Sequence, residues 1–137
     1  MNLLELYNLA EESGIDVDYF PMREIVSVSF PEGWIAMDVD KLSSSLEEKI
    51  HLAHELGHIQ TGSFYNIYSP LDCRAKHENR ANKWAIKKLI PKDELDDAVR
   101  SGFLEVWELA EYFDVTYSFM EQAMRYYQQQ DLAGVAI

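Results

Sequence analysis

The sequence predicts an α+β fold, mostly helical, with a small antiparallel sheet upstream of one long central helix. Apolar residues recur at three- and four-residue steps along most of the chain, the mark of amphipathic helices. Residues 15–39 break that rhythm with short runs of alternating polarity, rich in β-branched and aromatic residues. Glycine and proline fall at the boundaries between these stretches. A length of 137 residues, 47% hydrophobic and 12% aromatic, suits one folded domain rather than a disordered chain. Neither an internal repeat nor a linker divides it, so residues 1–137 read as a single domain with a frayed tail from about residue 130.

Residues 2–13 carry Leu3, Leu4, Tyr7, Leu9 and Ala10 at helical spacing, and Ser13-Gly14 closes this first helix. Ile15 to Phe20 alternates briefly. After Pro21, the run Ile25-Val26-Ser27-Val28-Ser29-Phe30 reads as a strand with period-two polarity. Pro31-Glu32-Gly33 supplies a turn, and Trp34 to Val39 a return strand. A serine cluster, Ser43-Ser44-Ser45, then leads into a helix expected from about Leu46 to Gln60, with Ser45 and Glu48 as a capping box. Gly62, Asn66 and Pro70 mark a loop that carries Phe64, Tyr65 and Tyr68, aromatics able to line a cleft. A further helix is expected from Cys73 to Ile90, ended by Pro91, and three more follow: Lys92–Val99, Phe103–Phe113 and Thr116 to about Gln129.

The long central helix contains His54-Glu55-Leu56-Gly57-His58, an H-E-x-x-H pattern. Residues i and i+4 lie one turn apart on one helix face, so both imidazoles can close on one ion. Glu55 is rotated about 100° from His54 and stands beside such an ion rather than on it. A carboxylate there can take a proton from a water activated by the metal. On the next helix Glu78, Ala81, Asn82, Ala85 and Leu89 share a face, so packing against the first brings Glu78 opposite the histidines. His54, His58 and Glu78 would then form a His₂Glu set with one position open, the pattern of catalytic zinc. His77 is the rival third ligand; Glu78 is favoured because it shares the contact face. Asn82, one turn on, is positioned to orient a ligand. Manganese would also suit these donors. Nothing near Cys73 has the spacing of a thiolate site.

Charge and composition narrow the function classes. The formal charge is −12, with 24 acidic against 12 basic residues, which opposes direct binding to nucleic acid and favours a basic protein partner. The segment Leu109–Met124 has the look of a helix-turn-helix, but the acidic residues around it favour packing over DNA contact. No apolar run approaches the roughly 20 residues of a membrane span. The start, Met1-Asn2-Leu3-Leu4-Glu5, lacks the basic residues of a signal peptide, and a lone cysteine suits a reducing compartment, so the cytoplasm is expected.

Three blocks together, His54-Glu55-Leu56-Gly57-His58, Glu78-Asn79-Arg80-Ala81-Asn82 and Leu89-Ile90-Pro91, resemble the ImmA/IrrE metallopeptidases, whose pattern is H-E-L-G-H, E-x-x-A-N-x-F-A and L-x-P. Ile35-Ala36-Met37-Asp38 and the Ala110–Thr116 segment look like theirs too, and Trp84 replaces the family's phenylalanine. The resemblance implies a zincin-like metallopeptidase domain of phage or mobile-element type. It implies Zn²⁺ as cofactor, Glu78 as ligand, and cleavage of a helix-turn-helix repressor to relieve repression. The alternative is a metal-binding partner protein that acts on a regulator without cutting it. His77, Tyr65, Tyr68 and Arg80 are unranked candidates for stabilising the oxyanion of a peptidase reaction.

Overall fold

The computed structural model describes residues 1–135, with side chains through residue 131. Helix α1 spans Leu3–Glu12 and is followed by three strands, β1 (Asp16–Tyr19), β2 (Ser27–Phe30) and β3 (Trp34–Met37). A single 3-10 turn at Val39–Lys41 leads to α2 (Ser45–Thr61) and α3 (Leu71–Leu89). The chain then runs through α4 (Lys92–Arg100), α5 (Val106–Phe113) and α6 (Tyr117–Val135). The mostly helical α+β class predicted from the sequence is therefore the one observed. Helix α6 extends into the stretch expected to fray, and residues 136–137 of that stretch lie outside the described residues. No helix among the described residues is long and apolar enough to cross a membrane.

The sheet corrects the expectation of an antiparallel arrangement. Its order is β1-β3-β2: β2 pairs antiparallel with β3, as a hairpin should, but β1 pairs parallel with β3. The cause lies in residues 20–26, which pass over the end of β3 and so put β1 and β2 on opposite edges of it. Polar contacts pin this crossover: Met22 N–H donates to Asp38 Oδ2 at 2.9 Å, Asp38 N–H donates to Val26 O at 2.8 Å, and Lys41 Nζ donates to the Met22 carbonyl. The most apolar strand takes the centre, with Ile35, Ala36 and Met37 fully buried. Gly33, at φ +94°, closes the hairpin turn with its N–H on Phe30 O.

Helix α2 is the spine of the domain. Its N-cap is Ser44, one residue earlier than expected: Ser44 Oγ accepts from Glu47 N–H, and the Glu47 carboxylate accepts from Ser43 N–H. Glu48, expected in the capping box, instead accepts from the Tyr7 hydroxyl at 2.6 Å and ties α1 to α2. Leu52, Ala53 and Leu56 pack in one core with Leu6 and Ala10 of α1, Ile35 and Met37 of β3, Ala85 and Leu89 of α3, and Leu109, Phe113 and Met120 of α5 and α6. The helix-turn-helix-like segment thus spends its apolar face on the core, as its charge pattern suggested. Buried Lys49 joins the layers by donating to the carbonyls of Phe113 (3.1 Å) and Asp114 (2.8 Å) at the end of α5.

Candidate metal centre

Helices α2 and α3, strand β2 and the loop after α2 meet around one cleft of about 230 Å³. One turn of α2 separates His54 from His58, whose rings meet edge to face with centroids 4.7 Å apart and Nε2 atoms 3.1 Å apart. The other nitrogen of each ring is already engaged. His54 Nδ1–H donates to the Asn82 side-chain carbonyl at 2.8 Å, and His58 Nδ1–H donates to the Ser63 carbonyl at 2.5 Å. Gly62 makes the second contact possible: at φ +65° it ends α2 and turns the chain back, with Ser63 N–H on the His58 carbonyl at 2.9 Å. The Nε2 atoms of both rings are thereby turned toward each other and the cleft.

Glu78 of α3 meets them there. Its Oε2 lies 2.8 Å from His54 Nε2 and its Oε1 lies 3.1 Å from His58 Nε2. One donor atom from each of the three residues lies within 4.8 Å of the other two. Tetrahedral coordination at bonds of about 2.1 Å puts ligand atoms about 3.4 Å apart, so the set needs only a slight expansion to admit an ion. Two imidazole nitrogens and a carboxylate suit a divalent first-row cation. Burial pushes the Glu78 carboxyl up, but the Tyr65 hydroxyl and the two imidazoles outweigh it and hold the group below the usual carboxylate range. Tyr65 donates to Glu78 Oε1 at 2.7 Å; that bond, with burial, pushes its own hydroxyl up to about 12.

Glu55 stands beside this group rather than in it, as its position on the helix dictates. Glu55 as a residue is 6% exposed, and both carboxylate oxygens are held from strand β2: Ser27 Oγ donates to Oε2 at 2.7 Å and Ser29 Oγ to Oε1 at 2.8 Å. The Ser27 hydroxyl also lies 3.3 Å from His51 Nδ1, and burial pushes the His51 imidazole down. Opposite residues of an antiparallel pair share a face. Ser27 and Ser29 are opposite Met37 and Ile35, so they lie on the helix-packed face of the sheet.

Of the other candidates, Tyr65 reaches the centre and the rest fall away from it. His77 stands outside the three-residue group, stacks on Tyr65 with ring centroids 6.4 Å apart, and has a buried Nδ1 with no partner among the described residues. Phe64 and Tyr65 line the cleft, whereas Tyr68 is 88% exposed and Arg80 lies on the surface. Cys73 is a half-buried free thiol outside the group. Sequence reasoning does not find Ser27, Ser29 or Ser63. The signal that could have found the first two is a pair of serines at i and i+2 in a strand ahead of the H-E-x-x-H helix.

The model of the IrrE N-terminal-like domain, Peptidase_M78, matches residues 10–125. The chain belongs to the Peptidase_M78 family. Every residue of the centre just described, from Ser27 to Asn82, lies inside the Peptidase_M78 match, which also takes in α4, α5 and part of α6. No curated protein matches the sequence. Among solved structures, this Peptidase_M78 chain is similar to a Mycobacterium tuberculosis transcriptional regulator, with a TM-score of 0.66 and 15% identity. The similarity covers 85% of this chain but only 39% of the regulator, and at that identity it is a likeness of fold.

Proposed function

We propose that the chain is a metal-dependent endopeptidase in which His54, His58 and Glu78 hold Zn²⁺ and Glu55 is the general base. One observation carries this reading: two imidazole Nε2 atoms and a carboxylate converge at the mouth of a cleft, with a second, buried carboxylate held beside them. Zn²⁺, or Mn²⁺ in its place, would acidify a water and polarise the scissile carbonyl. Glu55 takes the water proton as the water oxygen bonds to the carbonyl carbon. The same carboxyl then gives that proton to the amide nitrogen as the C–N bond breaks. Tyr65, on the cleft wall, could donate to the carbonyl oxygen as charge develops on it by turning its hydroxyl away from Glu78.

The substrate proposed is a helix-turn-helix transcriptional regulator, whose cleavage relieves repression. Strand β2 is an edge of the sheet and flanks the cleft, which suits an extended segment bound by strand addition. A net charge of −12 favours the basic surface of a DNA-binding protein. Occurrence of the same fold within a protein described as a transcriptional regulator supports a regulatory setting.

Metal content tests this directly. Wild type purified without chelator should carry about one zinc or manganese per chain, Glu78→Ala should lose it, and His77→Ala should keep it. Glu55→Gln should keep the metal and lose cleavage of a co-purified regulator. Wild type that stays metal-free after zinc is supplied would overturn the reading. Glu55→Gln that remains fully active in relieving repression would replace it with a non-proteolytic binding role.

A further inference from the structure

The net charge of −12 is not spread evenly over the chain. Helix α3 carries Arg74, Lys76, Arg80, Lys83, Lys87 and Lys88 against Asp72 and Glu78, so half of the 12 basic residues lie on it. The remainder has six basic residues against 22 acidic, a net of −16. One helix therefore reverses the sign of its surroundings.

The exposed cations of α3 form a line. Lys76, Arg80, Lys83 and Lys87 recur at steps of four, three and four, which keeps them on one helix face, and all four are exposed. At about 100° per residue they lie within about 40° of the direction opposite Glu78, and they span about 16 Å along the axis. None has an acidic partner within ion-pairing distance among the described residues. Like charges one turn apart destabilise a helix, so the row is a cost that the fold itself does not offset.

The row fits a short acidic helix better than an extended polyanion. At physiological salt, charges are screened over about 8 Å, so the four cations act on what lies directly over them. A nucleic-acid duplex or an anionic bilayer reaches well past the stripe and must also meet the acidic remainder. An acidic helix with the same four-three-four spacing matches the row charge for charge. A second copy of this chain does not supply one: among the described residues, none of the other five helices has four exposed acidic residues at that spacing.

We infer that the outer face of α3 is a docking surface for an acidic helical segment of a partner protein. The inference does not rest on the peptidase reading. None of the four cations lines the metal cleft, so a partner seated on them leaves it open. Exposed ion pairs steer more than they hold; the row sets where the partner lands, and its effect fades with salt.

Magnetic resonance on isotope-labelled protein tests this with two helical, alanine-rich peptides, one with glutamate and one with glutamine at the four-three-four positions. The glutamate peptide should shift amide signals between Lys76 and Lys87. It should bind at least about tenfold more tightly than the glutamine peptide, since each exposed pair contributes up to about fivefold. That binding should vanish at about 1 M salt, where screening acts over about 3 Å, and in Lys83→Glu/Lys87→Glu. Lys83→Gln/Lys87→Gln, which adds no charge and guards against misfolding of the first variant, should weaken it about fivefold or more. Equal binding of the two peptides, or binding unchanged in both variants, would overturn the inference. So would a short DNA duplex that shifts the same signals at a lower concentration than the glutamate peptide, which would make the row a phosphate-backbone site.

Discussion

A Cβ on Gly57 would lie 2.5 Å from the carbonyl oxygen of Ala81. Glycine at the fourth position of the H-E-x-x-H motif is thus a packing requirement: it lets α2 and α3 approach until Glu78 of one reaches the histidines of the other. Gly57→Ala must push the helices apart, because the obstacle is backbone rather than a flexible side chain. Overpacking of this kind costs about 1–3 kcal/mol. The expected outcome is a lower melting temperature together with weakened zinc binding, read by thermal melts and metal stoichiometry. A variant that melts lower but binds zinc as tightly as wild type would show that helix spacing does not control the site.

The crossover between β1 and β2 makes stability depend on acid. Asp38 is held below the ordinary carboxylate range chiefly by the Met22 N–H, with Lys41 adding to it and burial opposing it. A carboxyl whose folded value is depressed stabilises the fold at pH above its unfolded value of about 3.9. That contribution is lost as pH falls through the lower, folded value. Asp38→Asn should therefore be less stable than wild type near neutrality, and the difference should shrink as pH falls from about 5 towards 2. Melts by circular dichroism across that range check the sign; a gap that widens in acid would contradict it.

Features of this chain are legible in its sequence where the signal for them is local. Helical periodicity and glycine and proline stops place the six helices found among the described residues to within a few residues, apart from the end of α6, because both signals are short-range. Glu78 is within reach because it shares a helix face with Ala81, Asn82 and Ala85, and that face is the one packed on α2. Ser27 and Ser29 are not, since alternation separates two faces of a strand without saying which is solvated. Here the serine face is packed, because Glu55 waits to accept from it. Lys49 is equally hidden: a charged residue reads as exposed, and its carbonyl partners lie 64 and 65 residues away. The parallel pairing of β1 depends on a crossover held by contacts from Asp38 and Lys41, which no strand pattern encodes.

The two serines lead to a kinetic prediction that rests on the proposed peptidase activity. Hydrogen bonds to a charged group are worth about 1.5–3 kcal/mol, and here they fix the carboxylate that moves the proton. Ser27→Ala and Ser29→Ala should each lower kcat roughly tenfold or more, with KM and metal content little changed. Ser→Thr at either position keeps the hydroxyl and should recover most of the loss. A fall confined to KM would mean that β2 serves only to bind substrate.

Asn82 gives a prediction that needs no substrate. Its side-chain carbonyl accepts from His54 Nδ1–H at 2.8 Å, which fixes the tautomer that leaves Nε2 free for an ion. Removing such a partner typically costs 10–100-fold in metal affinity, so Asn82→Ala should bind zinc weaker by about that factor in competition with a chromophoric chelator. The stability of the metal-free protein should change little, because Asn82 is half-buried beside His54 rather than in the core. Saturating zinc at about 100 times its dissociation constant adds about 2.7 kcal/mol, or roughly 10 °C in melting temperature for a chain of this size. At one fixed zinc concentration chosen to saturate wild type, Asn82→Ala should show a visibly smaller shift, and Glu78→Ala none. Equal shifts in wild type and Asn82→Ala, with Glu78→Ala still silent, would mean that the ring of His54 is held by packing between α2 and α3 and that the asparagine contact contributes nothing to the ion.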